Sequence, residues 1–227
     1  MTAMFLSRAR LKADSATQAL APLLLPQDLS AGLMAEHRMV WSLMSDSADR
    51  TRDFLWRKEA PGSFLILAPR PAVAGGLFDV DSKPWEPALR AGDRLGFRLR
   101  ANPTVARTFA DTKARGKRID VVTDVIRHLP SSARANERQE IIVSSGMDWL
   151  DRQGVRLGFI ADRMHLRVDG YDTVRVQREK KPAAVLGVME FEGILKVTDP
   201  AALIAGVAAG LGRARAFGCG LMLLRRA

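Results

Sequence analysis

The chain has 227 residues, 47% of them hydrophobic, enough apolar material for one large packed domain or two small ones, which excludes disorder along the whole length. Lys and Arg number 35 against 25 Asp and Glu, a formal charge of +10, so an anionic partner is the first expectation, with plain charge-based solubility as its rival. The single Cys219 rules out an internal disulfide framework, and His37, His128 and His165 stand too far apart for zinc-ligand spacing, so no structural zinc site is expected, and no motif calls for a cofactor.

The apolar patch from Ala19 to Leu25 is interrupted by Pro22 and closed by Pro26, without the frame of a signal peptide. No other apolar run is long enough to cross a bilayer, so the expectation is a cytoplasmic protein with no membrane partner.

In chain order, Met4 to Leu11 reads as a strand inside a sheet, with Arg8 and Arg10 facing out. After a Pro-punctuated loop, Ser30 or Asp28 can cap a helix whose Leu33, His37, Val40, Trp41 and Met44 share one face, expected to pack on the sheet. Phe54 to Lys58 and Phe64 to Ala68 are two strands joined by a turn at Pro61-Gly62. A short helix over Trp85 to Arg90 and a strand over Leu95 to Ala101 complete strand, helix, strand, strand, helix, strand, the ferredoxin-like order.

The first unit is thus drawn over residues 1–103 and ends at Asn102-Pro103; 104–116 is a linker, with a polar, basic stretch from Asp111 to Arg118. A second unit fills 117–227: a strand over Arg118 to Val122, a helix over Ser145 to Gln153, and strands over Val155 to Ile160, Met164 to Val168 and Thr173 to Gln177. Ala183 to Val197 favours strand, Asp199 caps an Ala-rich helix with Pro200 in its first turn, and Leu221 to Leu224 makes a final strand. The fold class expected is α+β, two tandem ferredoxin-like domains.

Three features carry chemistry. Between the last helix and the last strand, GLGRARAFGCG sets Gly210, Gly212, Gly218 and Gly220 around Arg213 and Arg215. A dinucleotide-binding loop needs the strand first and the helix second, so that reading fails on order. A nucleic-acid backbone fits better, with the arginines supplying charge and the glycines a bare surface, although one glycine is also the ordinary stop of a helix. His37 on its apolar stripe reads first as a packed side chain; a position near a helix N-terminus with Arg38 adjacent would bias it toward the neutral form that accepts a proton. Arg163, Arg167, Arg175, Arg178, Lys180 and Lys181 spread over a hairpin with its turn at Asp169-Gly170, either a solvated surface or a ridge for an RNA groove.

The stretches MFLSRARL, EHRMVWSLM, RDFLWR from Arg52, FRLRANPT from Phe97, and FEGILKVTDPAALIAGVAAGLGRARAFGCGLMLL from Phe191 together resemble CasE, the repeat-processing endoribonuclease family of type I-E CRISPR Cascade complexes. The resemblance implies tandem ferredoxin-like domains, binding of a CRISPR repeat RNA stem-loop, metal-independent cleavage and association with other Cascade subunits. It matches His37 to the family's catalytic histidine, places Arg213 and Arg215 in an RNA-contacting glycine-rich loop, and sets Arg163 to Lys181 where the stem is gripped. One departure is Met34, where some members carry a tyrosine; the only tyrosine is Tyr171. Two rival readings are a non-catalytic RNA-binding subunit and a module for an acidic protein.

Overall fold

The computed structural model describes residues 3–45, 47, 50–107, 117–178 and 181–226. Its first sheet contains β1 (Phe5–Leu11), β2 (Leu55–Ala60), β3 (Ser63–Ala68) and β4 (Phe78–Pro84), antiparallel in the order β2-β3-β1-β4. β1 is central, as its alternation requires: Ser7 and Ala9 are buried while Arg8 and Arg10 are exposed. β2 and β3 meet at the expected Pro61-Gly62 turn.

Two helices separate β1 from β2. The first, α1 (Ser15–Leu24), lies where a loop was expected; Asp14 caps it, and Pro22 lies inside it, where it removes one backbone hydrogen bond. The second, α2 (Leu29–Met44), is capped by Asp28, whose Oδ1 accepts from the Ala31 amide at 2.7 Å. Its core face is Glu36, Met39, Val40, Leu43 and Met44, packed on Ala9, Trp56, Phe64, Ile66 and Phe78. That face is rotated from the expected stripe, so Leu33, His37 and Trp41 are only half-buried beside it.

Residues 85–90 form no helix, because Pro87 would sit in the middle of so short a segment; the Trp85 amide instead donates to the Met4 carbonyl at 2.8 Å. β4 was not read from the sequence: its Asp79, Asp81, Ser82 and Lys83 are exposed on an edge strand and carry little strand propensity.

β5 (Arg94–Ala101) is a strand as expected, but it belongs to the second sheet. There it lies between β10 (Lys181–Val197), with Phe97 opposite Gly193, and β11 (Met222–Arg226), with Phe97 opposite Leu224. The order is β11-β5-β10-β8, where β8 is Phe159–Ala161, and β9 (Arg167–Arg178) also pairs with β10. Between β5 and β8 come a ribbon of β6 (Thr104–Arg107) and β7 (Lys117–Asp120), then α3 (Val121–Ile126) and α4 (Arg138–Leu157); α5 (Pro200–Ala209) joins β10 to β11.

With β9 set aside, both sheets run fourth, first, third, second strand, the ferredoxin-like order, and the fold is α+β with two such units in tandem. β5 opens the second unit instead of closing the first. The change of sheet falls between Pro84 and Arg94, ahead of the boundary drawn at 103; of the 104–116 stretch, 104–107 is β6 and the remainder lies outside the described residues.

Other differences have local causes. Asp120 accepts from the amides of Val122 and Thr123, so the strand read over Arg118 to Val122 ends there and a helix begins. α4 continues to Leu157 and stops at Gly158, which absorbs the start of the strand read over Val155 to Ile160. The strands read at Met164 to Val168 and Thr173 to Gln177 are one strand, β9, preceded by a short 3-10 turn over Arg163–His165; Gly170 faces a register shift of β10, not a hairpin end.

One core spans the units. Trp149, Leu150, Phe159, Phe191, Leu99, Met189 and Leu195 are fully buried and share a cluster with Leu55, Leu65 and Leu67 of the first sheet. Each side chain of this size stabilises by roughly 1.5–3 kcal/mol when buried. The second unit therefore covers the outer face of the first sheet along β2 and β3, while Arg8 and Arg10 of β1 stay exposed, and Arg57 of β2 adds an ion pair to Glu190 of β10 at 2.9 Å.

Candidate active site

The site forms where the loop between α5 and β11 crosses to α2. Glycine is required here by geometry: at Gly220 (φ 95°) a Cβ would stand 2.8 Å from the Leu211 carbonyl oxygen, and at Gly210 (φ 82°) 2.7 Å from the Leu55 side chain. Gly210, Gly218 and Gly220 are buried, and the amides of Gly210 and Gly220 donate to the Gly206 and Arg100 carbonyls. These glycines, with Gly212 packed near Trp149, shape the loop from beneath; they do not offer the bare surface expected of them.

The two arginines of the loop separate. Arg215 is half-buried and donates from Nη2 to the Gly210 carbonyl at 2.8 Å and from Nε to that of Gly212 at 3.3 Å, bracing the loop from inside. Arg213 is exposed.

The loop's tip is a 3-10 turn, Arg215–Phe217, and it docks on the first unit. The Ala216 carbonyl accepts from His37 Nδ1 at 2.8 Å and from Trp56 Nε1 at 3.1 Å. The Phe217 ring lies 5.6 Å from the imidazole, with Trp41 at 6.3 Å on its edge. A carbonyl oxygen can only accept, so the ring proton sits on Nδ1 and the neutral ring carries its lone pair on Nε2. Burial pushes the His37 pKa below its ordinary value, and Arg52 and Arg38 push the same way against the Ala216 hydrogen bond. His37 lies mid-helix, away from the N-terminus, so burial and not the helix dipole holds it neutral.

Arg52 was missed as a site residue. It is half-buried, donates to the Phe54 carbonyl at 3.2 Å, acts on His37 more strongly than Arg38 does, and has its own pKa lowered by burial and by Arg215. Arg52 and Trp56 both fall in RDFLWR, so position in that motif was the available signal. The Ala216 carbonyl had none, being backbone.

The basic segment is not a uniform ridge. Arg163 is bound to Asp148 and Asp151 of α4, the former at 2.9 Å; Arg167 faces Glu192 at 3.5 Å and Asp169 at 3.8 Å. Arg175 is exposed on β9, and its carbonyl accepts from the Ser30 hydroxyl at 2.7 Å. Lys180 and the side chains of Arg178 and Lys181 lie outside the described residues. Ser30 and His37 are about two turns apart, so one face of α2 meets both β9 and the glycine loop.

Tyr171 does not stand in for a tyrosine at Met34: its hydroxyl donates to Asp120 at 2.8 Å, and burial, with Asp120, raises its pKa. Among the described residues no three His, Cys, Asp or Glu side chains converge as a metal site, and no helix is long and apolar enough to cross a membrane.

The family model described as "CRISPR associated protein" matches residues 4–226. The chain belongs to the CRISPR-associated CasE family. It is 29% identical over 212 residues to the Cascade subunit CasE of Escherichia coli K12, covering 90% of this chain and 98% of that protein. It is 34% identical over 149 residues to the CRISPR-associated endoribonuclease Cse3 of Thermus thermophilus, covering 62% of this chain and 59% of the relative. A solved structure of Thermus thermophilus Cse3 bound to an RNA representing a pre-cleavage complex superposes with a TM-score of 0.67 at 25% identity, over 98% of this chain and 99% of that one.

Proposed function

We propose that this CasE-family chain is an endoribonuclease that binds the stem-loop of CRISPR repeat RNA, cuts the precursor without a metal, and keeps the product as a cytoplasmic Cascade subunit. The observation that carries the reading is the Ala216 carbonyl on His37 Nδ1, which leaves Nε2 of a largely neutral ring as a proton acceptor.

In the step proposed, Nε2 takes the proton of a ribose 2′-hydroxyl, the 2′-oxygen attacks the adjacent phosphorus, and the bond to the 5′-oxygen breaks. The products are a 2′,3′-cyclic phosphate and a 5′-hydroxyl, the latter protonated from solvent; the imidazolium returns its proton to solvent. Arg52, with Arg38 at the exposed side of the helix, opposes charge building on the phosphate oxygens. Arg213 and Arg175 are the exposed cations placed for the RNA backbone; Arg163 and Arg167 are already matched by carboxylates and contribute less. Met34 in place of a tyrosine leaves no hydroxyl one turn before His37, and it favours slow cleavage or, as the second reading, RNA binding alone.

Incubating the protein with its own repeat RNA in EDTA tests this. The expected result is cleavage at one position with a cyclic phosphate on one fragment and a 5′-hydroxyl on the other. Binding without cleavage would favour the second reading, and a 5′-phosphate product would overturn the mechanism.

A further inference from the structure

Trp56 comes from β2, is 1% exposed, and stands between α2 and the glycine loop. A hydrocarbon ring could fill that space; an indole also brings a donor, and a buried donor needs a partner. Its partner at 3.1 Å is the Ala216 carbonyl, the oxygen already bonded to His37 Nδ1 at 2.8 Å. The rest of the ring is fixed on both sides. Phe64 packs on it edge-on at 5.7 Å, and a Cβ at Gly218 would come within 3.1 Å of it.

The turn that carries the carbonyl needs such an anchor. It is entered through Ala214 at φ 54°, the single described non-glycine residue at positive φ, a conformation L side chains adopt at a cost. Both acceptor directions of the Ala216 oxygen are then filled from the first unit, one by an immobile indole and one by the imidazole.

We propose that Trp56 is a positioning residue for His37: through the shared Ala216 carbonyl it sets the ring proton on Nδ1 and turns the Nε2 lone pair outward. Without the indole N–H the oxygen is free to swing toward water, and the imidazole loses the fixed acceptor that selects its tautomer. The rate consequence rests on the nuclease reading above; the tautomer consequence does not.

The test uses the full chain, labelled with 15N-histidine and free of RNA. Trp56 is replaced by benzothienylalanine, which keeps the shape and puts sulfur where the N–H was; Trp56→Phe is the second variant should the first fold poorly. In the unaltered protein the nitrogen spectrum of neutral His37 shows a protonated Nδ1 and a bare Nε2. The variant is expected to populate both tautomers, and to cut roughly ten- to a hundredfold more slowly with stem-loop affinity kept, as misaligned reacting groups do. A variant that keeps Nδ1–H alone and cuts at the normal rate would overturn the proposal. A mixed tautomer in a protein whose His37→Ala form still cuts would uphold the positioning and remove His37 from catalysis.

Discussion

Replacing His37 by alanine lowers single-turnover cleavage of repeat RNA by about a hundred- to ten-thousandfold, the usual weight of a general base, while stem-loop affinity stays unchanged. The two effects separate because the ring's contacts are internal: Nδ1 is committed to Ala216 and the ring is flanked by Phe217 and Trp41, so no phosphate-holding group is lost. The fold should tolerate the change. Trp56 still satisfies the Ala216 carbonyl, and the half-buried ring leaves a space at the domain seam, not in the main core. His37→Gln is the control, since its amide can donate to Ala216 but cannot take a proton at neutral pH. Normal cleavage by both variants would move the chemistry elsewhere.

A repeat RNA with 2′-deoxyribose at the scissile nucleotide binds as tightly as the natural RNA and is not cut. The nucleophile in the proposed step belongs to the substrate, so removing one oxygen removes the reaction, whereas an enzyme that activates water would continue. Binding should survive because, in the arrangement proposed, the exposed cations Arg213 and Arg175 meet phosphates and not that hydroxyl. Electrophoresis of the end-labelled RNA, beside a filter-binding measurement, separates the two results; cleavage of the deoxy substrate would rule out 2′-oxygen attack.

How much of this was legible depended on whether the signal was local. α5 was readable to its first residue because Asp199 caps it and Pro200 occupies its first turn. β5 was readable as a strand by its alternation, but alternation does not say which sheet a strand joins; that is fixed by pairing with β10 and β11, about ninety and one hundred and twenty residues later. Gly170 shows the reverse failure. Asp-Gly is a strong turn signal, yet the long partner strand β10 overrides it and converts it to an irregularity within β9.

The site followed the same division. His37 stood out by its spacing on α2, but its tautomer is set by a carbonyl nearly 180 residues away, and no side chain marks a carbonyl. Arg213 and Arg215 look alike in sequence, and only the loop's inward curl at Gly210 and Gly212 turns one into a brace and leaves the other exposed. Among the hairpin cations, the matching carboxylates Asp148, Asp151 and Glu192 lie on other elements, so the charge run alone did not show that Arg163 and Arg167 are ion-paired.

The most direct test of a neutral His37 as the base is the pH dependence of single-turnover cleavage. Because burial, Arg52 and Arg38 lower its pKa, the neutral form persists to lower pH than in an ordinary histidine. The rate should therefore rise with pH through a midpoint below about 6.5 and then level off, and this limb should vanish in His37→Ala. A midpoint well above that value, or the same limb surviving in His37→Ala, would contradict the account.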